Sequence, residues 1–207
     1  MSIALPRLYP ITDTGLSGLS HAEQVLRLSR GGARLIQVRE KLKGAREFFM
    51  EAEAALRVAR ERGARLIIND RVDIALALGA DGVHLGQDDM PPEAARSILG
   101  DRAIIGFSTH NLEQALAASS LPIDYLALGP IFHTSSKENP DPVVGLEGLR
   151  RVRLSLPHTP LVAIGGIRPQ NAAETLSAGA DSLAVIDALL SDPSQIEART
   201  EDWTTRF

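Results

Sequence analysis

The sequence contains no cysteine. Disulfide bridges and thiolate metal sites are thereby excluded, and the composition suits a reducing cytoplasm. Long apolar runs are lacking too. No stretch reaches the roughly 18 residues that read as a membrane-spanning helix. The opening MSIALPRLYP has neither the basic start nor the apolar run of a secretory leader. The expectation is a cytoplasmic protein with no membrane partner. No long run of one charge sign occurs, and the net charge is −4. Nucleic acid and anionic lipid both call for a basic surface, so neither is expected to bind. A local basic cluster would still hold a small anion. Nothing reads as a low-complexity tract or an interdomain linker. Nor is there a nucleophile elbow, a catalytic-triad motif or the spacing of a His–carboxylate metal site.

What is present is a weak internal repeat. GGARLIQV (31–38), RGARLIIN (62–69), LGADGVHL (78–85) and AGADSLAV (178–185) share one grammar: a helical segment ends in Gly-Ala, and a short apolar run follows. Glycine can take the left-handed conformation that closes a helix, and apolar runs of four to six residues with few charges inside fit strands buried on both faces of a parallel sheet. Eight such runs occur, at roughly 7–12, 35–40, 66–70, 82–86, 103–108, 125–130, 161–166 and 183–187. Helical segments lie between most of them. Residues 20–32 open with Ser20 and Glu23 at capping-box spacing, and residues 45–62 carry Phe48, Ala52, Ala55, Leu56 and Ala59 on one face. With 44 % hydrophobic residues a sizeable core can form. The α/β pattern predicts one domain over residues 1–207, an eight-stranded (β/α)8 TIM barrel, short against the roughly 250 residues usual for that fold. An open doubly wound sheet is the competing arrangement. One long connection, 131–144, stands out, and a loop of that length in a compact domain is often functional.

The active site of such a barrel lies at the C-terminal ends of its strands. The second run ends Gln37-Val38-Arg39-Glu40-Lys41, and alternation points Gln37, Arg39 and Lys41 together. The third ends Asn69-Asp70. The link after the fourth holds Asp89, the fifth ends at Ser108, and the sixth leads to Thr134-Ser135-Ser136-Lys137. The seventh ends Gly165-Gly166 and the eighth Ile186-Asp187. Arg39, Lys41 and Lys137 make a positive cluster suited to a phosphate or diphosphate. Asp70 and Asp89 offer the hard oxygen ligands that Mg²⁺ takes. Thr134, Ser136 and the glycines after the seventh strand suit a second anion. Each feature also has a plain reading: Arg39-Glu40-Lys41 as a solvated ion-pair cluster, Asn69-Asp70 as a helix cap, the glycine pair as a turn. The recurrence of such residues at strand ends favours a site. His84, inside an apolar run, is expected to be a hydrogen-bonded barrel residue, and His21 and His158 to be surface residues. Trp203 should cover the barrel's outside or a neighbouring subunit, so a homo-oligomer stays open.

The string QVREK, IINDRVDIAL, GADGVHLGQDD, IGFSTH, GPIF followed by TSSK, VVGLEGL and AIGGI resembles the thiamine phosphate synthase family, from about residue 8 to residue 190. The resemblance implies a Mg²⁺-dependent barrel transferase with two small phosphorylated substrates. It would join hydroxymethylpyrimidine diphosphate to a thiazole phosphate, releasing pyrophosphate. It implies that Gln37, Val38, Arg39, Glu40, Lys41, Asn69, Ser108 and Lys137 contact the pyrimidine diphosphate, with Arg39, Lys41, Ser108 and Lys137 aiding catalysis. Asp70 and Asp89 would bind the metal. Thr134, Ser135, Ser136, Gly166, Ile186 and Asp187 would hold the thiazole phosphate. Two positions depart from the pattern: His133 stands where proline is frequent, and Asp187 where serine is usual. Asp187 is placed so that it could cap the following helix. A thiazole tautomerase-like isomerase and a non-catalytic thiazole- or thiamine-phosphate-binding regulator are the alternatives. Intact Asp70, Asp89 and Lys137 speak against mere binding.

Overall fold

The computed structural model describes residues 4–134 and 141–207. Ser135, Ser136 and Lys137 lie outside the described residues. Eight strands form: β1 (Leu8–Pro10), β2 (Leu35–Val38), β3 (Arg65–Asn69), β4 (Gly82–Leu85), β5 (Ile104–Thr109), β6 (Tyr125–Leu128), β7 (Leu161–Ile164) and β8 (Ser182–Val185). All the expected runs are strands. From β2 to β8 each strand pairs in parallel with the next, and β1 pairs in parallel with β8. The last seam, between β1 and β2, is closed just beyond β1. Ile11 bridges to Gln37 in parallel, and the Thr12 N–H donates to the Gln37 carbonyl at 2.9 Å. That seam makes the sheet a barrel and rules out the open doubly wound alternative.

The helices are α1 (Thr14–Ser17), α2 (His21–Arg30), α3 (Ala45–Glu61), α4 (Val72–Leu78), α5 (Pro92–Leu99), α6 (Leu112–Ala118), α7 (Gly145–Ser155), α8 (Pro169–Ser177), α9 (Asp187–Leu190) and α10 (Ile196–Arg206). Ser20 and Glu23 form the expected capping box on α2. In α3, Phe48, Ala52, Ala55, Leu56 and Ala59 are all buried, as their spacing requires. No helix among the described residues is long and apolar enough to cross a membrane.

Strand alternation sorts the core into two layers. Tyr9, Leu35, Ile67, Ile104, Tyr125, Val162 and Ala184 fill the barrel interior. Leu8, Ile36, Val38, Leu66, Ile68, Val83 and Leu183 face the helices. The interior accepts two tyrosines because residue 106 is glycine: a Cβ there would stand 2.0 Å from the Tyr125 ring. Trp203 is buried on the outer layer, its ring 5.4 Å from that of Phe207, so it covers the barrel as expected.

Candidate active site

All strands run in parallel, so their C-terminal ends share one rim. Gln37 points inward and donates its Nε2 to the Tyr9 hydroxyl at 3.1 Å. Arg39, of the same parity, stands 3.4 Å from Asp13 Oδ2, and its N–H donates to the Thr12 hydroxyl at 3.3 Å. Lys41 reaches across to Asp70, Nζ to Oδ2 2.5 Å. Asp70 is the one non-glycine residue with positive φ, 62°, among the described residues, and its N–H donates to the His84 carbonyl at 2.8 Å. Aspartate tolerates this left-handed geometry better than most residues, and strain of this kind gathers at functional sites. Asn69 and Asp70 do not cap α4: its N-cap position is Arg71, with no side-chain cap bond.

Asp89 Oδ2 accepts the Gly86 N–H at 2.7 Å. Partial burial pushes the Asp89 carboxyl above its ordinary value, the Gly86 N–H opposes this, and the facing Asp70 carboxylate raises it further. The Asp89 carboxyl facing Asp70, with Lys41 beside the pair, forms a place where a hard cation would relieve the repulsion on Asp89. This donor set fits a divalent metal. A separate grouping with metal-capable side chains, His21, Glu40 and Glu51, lies behind β2. There Lys43 pairs with Glu51 and stands 3.9 Å from Glu40, so one ammonium already sits between the two carboxylates.

Near the end of β5, Ser108 Oγ lies 2.8 Å from His84 Nε2. Gln87 donates to the Ser108 carbonyl at 2.5 Å. Burial pushes the His84 imidazole down to about 4, so it is neutral at pH 7. On the far side, the Ile131 N–H donates to Ile164 at 2.8 Å and the Phe132 N–H to Gly165 at 3.0 Å, laying the entry of the long connection along the end of β7. Gly166, at φ 65°, permits this approach: a Cβ there would meet the His133 carbonyl at 2.6 Å.

Residues 8–189 match the family model described as thiamine monophosphate synthase. The thiamine-phosphate synthase of Koribacter versatilis is 48% identical over 200 residues, 93% of each chain. That of Chloroflexus aurantiacus is 47% identical, covering 89% of this chain and 85% of its own. The solved thiamine phosphate pyrophosphorylase from Pyrococcus furiosus superposes with a TM-score of 0.86 at 41% identity, over 96% of this chain and 94% of that one. This chain belongs to the thiamine monophosphate synthase family. It is accordingly a transferase enzyme of thiamine biosynthesis, and the isomerase and regulator readings are not favoured.

The rim of this family member brings together Arg39, Lys41, Asn69, Asp70, Asp89 and Ser108 at the ends of β2 to β5. Gly166 and the half-buried Thr134 and Ile186 lie at the ends of β6 to β8. Three expectations need correction. The side chains of Val38 and Glu40 do not join the rim. Their parity turns them outward, Val38 into the helix-facing core and Glu40 into a pocket beside His21. His21 is fully buried rather than on the surface, because Thr12 Oγ1 meets its Nδ1 at 2.7 Å. Asp187 does not cap: it is the exposed first residue of α9, whose N-cap position is Ile186, with no side-chain cap bond. Sequence reasoning also passed over Thr12, Tyr9 and Tyr125. Their one signal was a hydroxyl at an inward or terminal position of an otherwise apolar run.

Proposed function

We propose that this rim joins 4-amino-2-methyl-5-hydroxymethylpyrimidine diphosphate to 4-methyl-5-(2-phosphoethyl)thiazole, giving thiamine phosphate and pyrophosphate, with Mg²⁺ held by Asp70 and Asp89. The observation that carries this reading is the convergence of Lys41, Asp70 and Asp89 over one mouth. Mg²⁺ bound there would supply Lewis-acid neutralisation of the diphosphate oxygens. Arg39, Lys41 and Lys137 hold the remaining negative charge of the diphosphate. Gln37, Asn69 and Ser108 orient the pyrimidine half, to which Val38 and Glu40 have only main-chain groups to offer. Thr134, Ser135, Ser136, Gly166 and Ile186 seat the thiazole phosphate, with Asp187 at its edge.

The chemistry then asks little of the protein beyond alignment and charge. The amino group of the pyrimidine donates electrons toward the exocyclic carbon. The carbon–oxygen bond to the diphosphate breaks, and its electron pair leaves with the oxygen. The thiazole nitrogen gives its lone pair to that carbon, forming the new carbon–nitrogen bond. Holding both reactants in line replaces a bimolecular encounter, and fixed cations stabilise charge that grows on the leaving group. No protein nucleophile takes part. The test is pyrophosphate release in mixtures of the two substrates, with and without EDTA. Release should need both substrates and stop with EDTA. Release that ignores EDTA would remove Asp70 and Asp89 from the metal role.

A further inference from the structure

Three buried side chains that this chemistry does not use connect two that it does. The Gln37 amide meets the Tyr9 hydroxyl at 3.1 Å, and the Tyr9 hydroxyl meets that of Tyr125 at 2.8 Å. The Tyr125 hydroxyl lies 3.0 Å from His84 Nδ1, and His84 Nε2 lies 2.8 Å from Ser108 Oγ. The chain of contacts crosses the barrel interior from β2 to β5. Its rings are fixed by packing: Tyr9 and Tyr125 meet edge to face at 5.8 Å, and His84 stacks on Tyr125 at 5.6 Å. Gly106 leaves the space that the Tyr125 ring occupies.

Donor counting gives this chain a direction. A neutral imidazole has one N–H and one acceptor nitrogen, and each tyrosine has one proton to give. With the Gln37 nitrogen donating to Tyr9, the buried Tyr9 proton has only Tyr125 to receive it among the described residues. Tyr125 must then donate to His84 Nδ1, which places the imidazole proton on Nε2, facing Ser108 Oγ. Ser108 accepts that bond, and its own proton is left to donate. The amide carbonyl oxygen of Gln37 is likewise left to accept. Were the Gln37 amide reversed, every bond along the chain would reverse, and Ser108 would offer a lone pair where an anion must sit. The two ends are thus coupled through Tyr125, Tyr9 and His84.

We propose that Tyr9, Tyr125 and His84 are positioning residues that set the polarity of the pyrimidine pocket, turning the Gln37 carbonyl and the Ser108 proton toward the substrate. This rests on Gln37 and Ser108 contacting the pyrimidine diphosphate. It deepens that reading by explaining how the site selects a ring edge that donates, such as an amino group, beside an anionic group that accepts. A ring with a carbonyl in place of the amino group would face the Gln37 carbonyl with no proton between them.

The experiment joins nitrogen-15 NMR of His84 with kinetics of Tyr125→Phe, which removes a hydroxyl from the middle of the chain. In the wild-type protein without substrates, His84 should be the tautomer protonated at Nε2, with Nδ1 a hydrogen-bond acceptor. Tyr125→Phe should shift the Nδ1 resonance and raise the Michaelis constant for the pyrimidine diphosphate about tenfold, ~1.4 kcal/mol, while the thiazole constant stays within about twofold. A merely structural tyrosine would lower the melting temperature and leave both the tautomer and the ratio of the two constants alone. Tyr9→Phe serves if Tyr125→Phe does not fold, with the same expectations for the constants. A wild-type His84 protonated at Nδ1, or a folded variant with an unchanged pyrimidine constant, overturns the proposal. Failure of the wild-type protein to form thiamine phosphate would instead overturn the functional reading, since the tautomer is read without turnover.

Discussion

A polar network lies on each side of β2 and the loop that follows it, and the two are built differently. Inside the barrel, Gln37, Tyr9, Tyr125, His84 and Ser108 are joined without any charge. Outside it, the ions Glu40, Glu51 and Lys43 pack around the His21 imidazole. His21 Nε2 stands 3.5 Å from Glu40 and 3.6 Å from Glu51, and Lys43 pairs with Glu51. Burial would raise the Glu40 carboxyl, but the Leu42 N–H and the Thr14 hydroxyl, with His21 and Lys43, outweigh it and hold the carboxyl below its ordinary value. The Leu42 N–H, at 2.8 Å, ties that carboxylate to the backbone next to Lys41. The difference teaches how one strand end serves two purposes. A neutral network of single-proton groups transmits orientation. A charged one anchors a loop and is sensitive to loss of any partner.

The rim itself gives the scale against which both networks are measured. Asp89→Asn should lower turnover at low Mg²⁺ by roughly a hundredfold or more, with partial recovery in excess metal, because several kcal/mol of charge stabilisation are at stake. A metal titration of the variant's turnover checks this, and indifference to metal would contradict it. Glu40→Ala comes next. It removes the acceptor of the Leu42 N–H and the Thr14 hydroxyl and leaves Glu51 as the one carboxylate shared by His21 and Lys43, and should cost about 1.5–3 kcal/mol of stability in urea unfolding. An unmoved unfolding midpoint would show that the outer network anchors nothing.

Acidification should separate the two faces more finely. His84 is kept neutral in the fold and would protonate near its ordinary value of 6.5 when unfolded. Between 6.5 and about 4 the unfolded chain therefore binds more protons. Stability falls as the pH drops through that window, by about 1.4 kcal/mol for each pH step of one. His21, also lowered, first by burial, adds to the same fall. Glu40 has the depressed pKa of a satisfied carboxylate, so its contribution is present above its ordinary value of 4.5 and is lost only as pH falls further. In urea unfolding followed across pH, His84→Gln should flatten part of the upper window, and Glu40→Gln only the region below it. The reverse pattern would exchange the roles of the two networks. The smallest effect belongs to Asp187→Ser. The exposed carboxylate stands at the end of β8, and its removal should lower the Michaelis constant for the thiazole phosphate about twofold, more at low ionic strength. Constants that do not move with salt would strike Asp187 from the site.

Much of this was legible from residue order. The eight apolar runs are the eight strands because buried parallel strands carry their own signature of short, apolar segments with few charges, closed by turns. Alternation correctly turned Gln37 inward. The same rule turns Val38 and Glu40 outward, which reading QVREK as one block obscured. His21 looked like a surface residue because it follows a helix cap; the neighbour that buries it, Thr12, belongs to another element. The interior network was illegible for a related reason. Tyr9 and Tyr125 are 116 residues apart, and only barrel closure brings their hydroxyls together. The positive φ of Asp70 likewise follows from the turn between β3 and α4, and aspartate alone does not announce it.

The most direct test of the account is the product balance of one turnover with both substrates and Mg²⁺ present. Thiamine phosphate and pyrophosphate should appear in equal amounts and at equal rates, and neither should form when the thiazole phosphate is withheld. Pyrophosphate released without thiamine phosphate would mean that the rim hydrolyses its diphosphate substrate, and would contradict the condensation proposed for it.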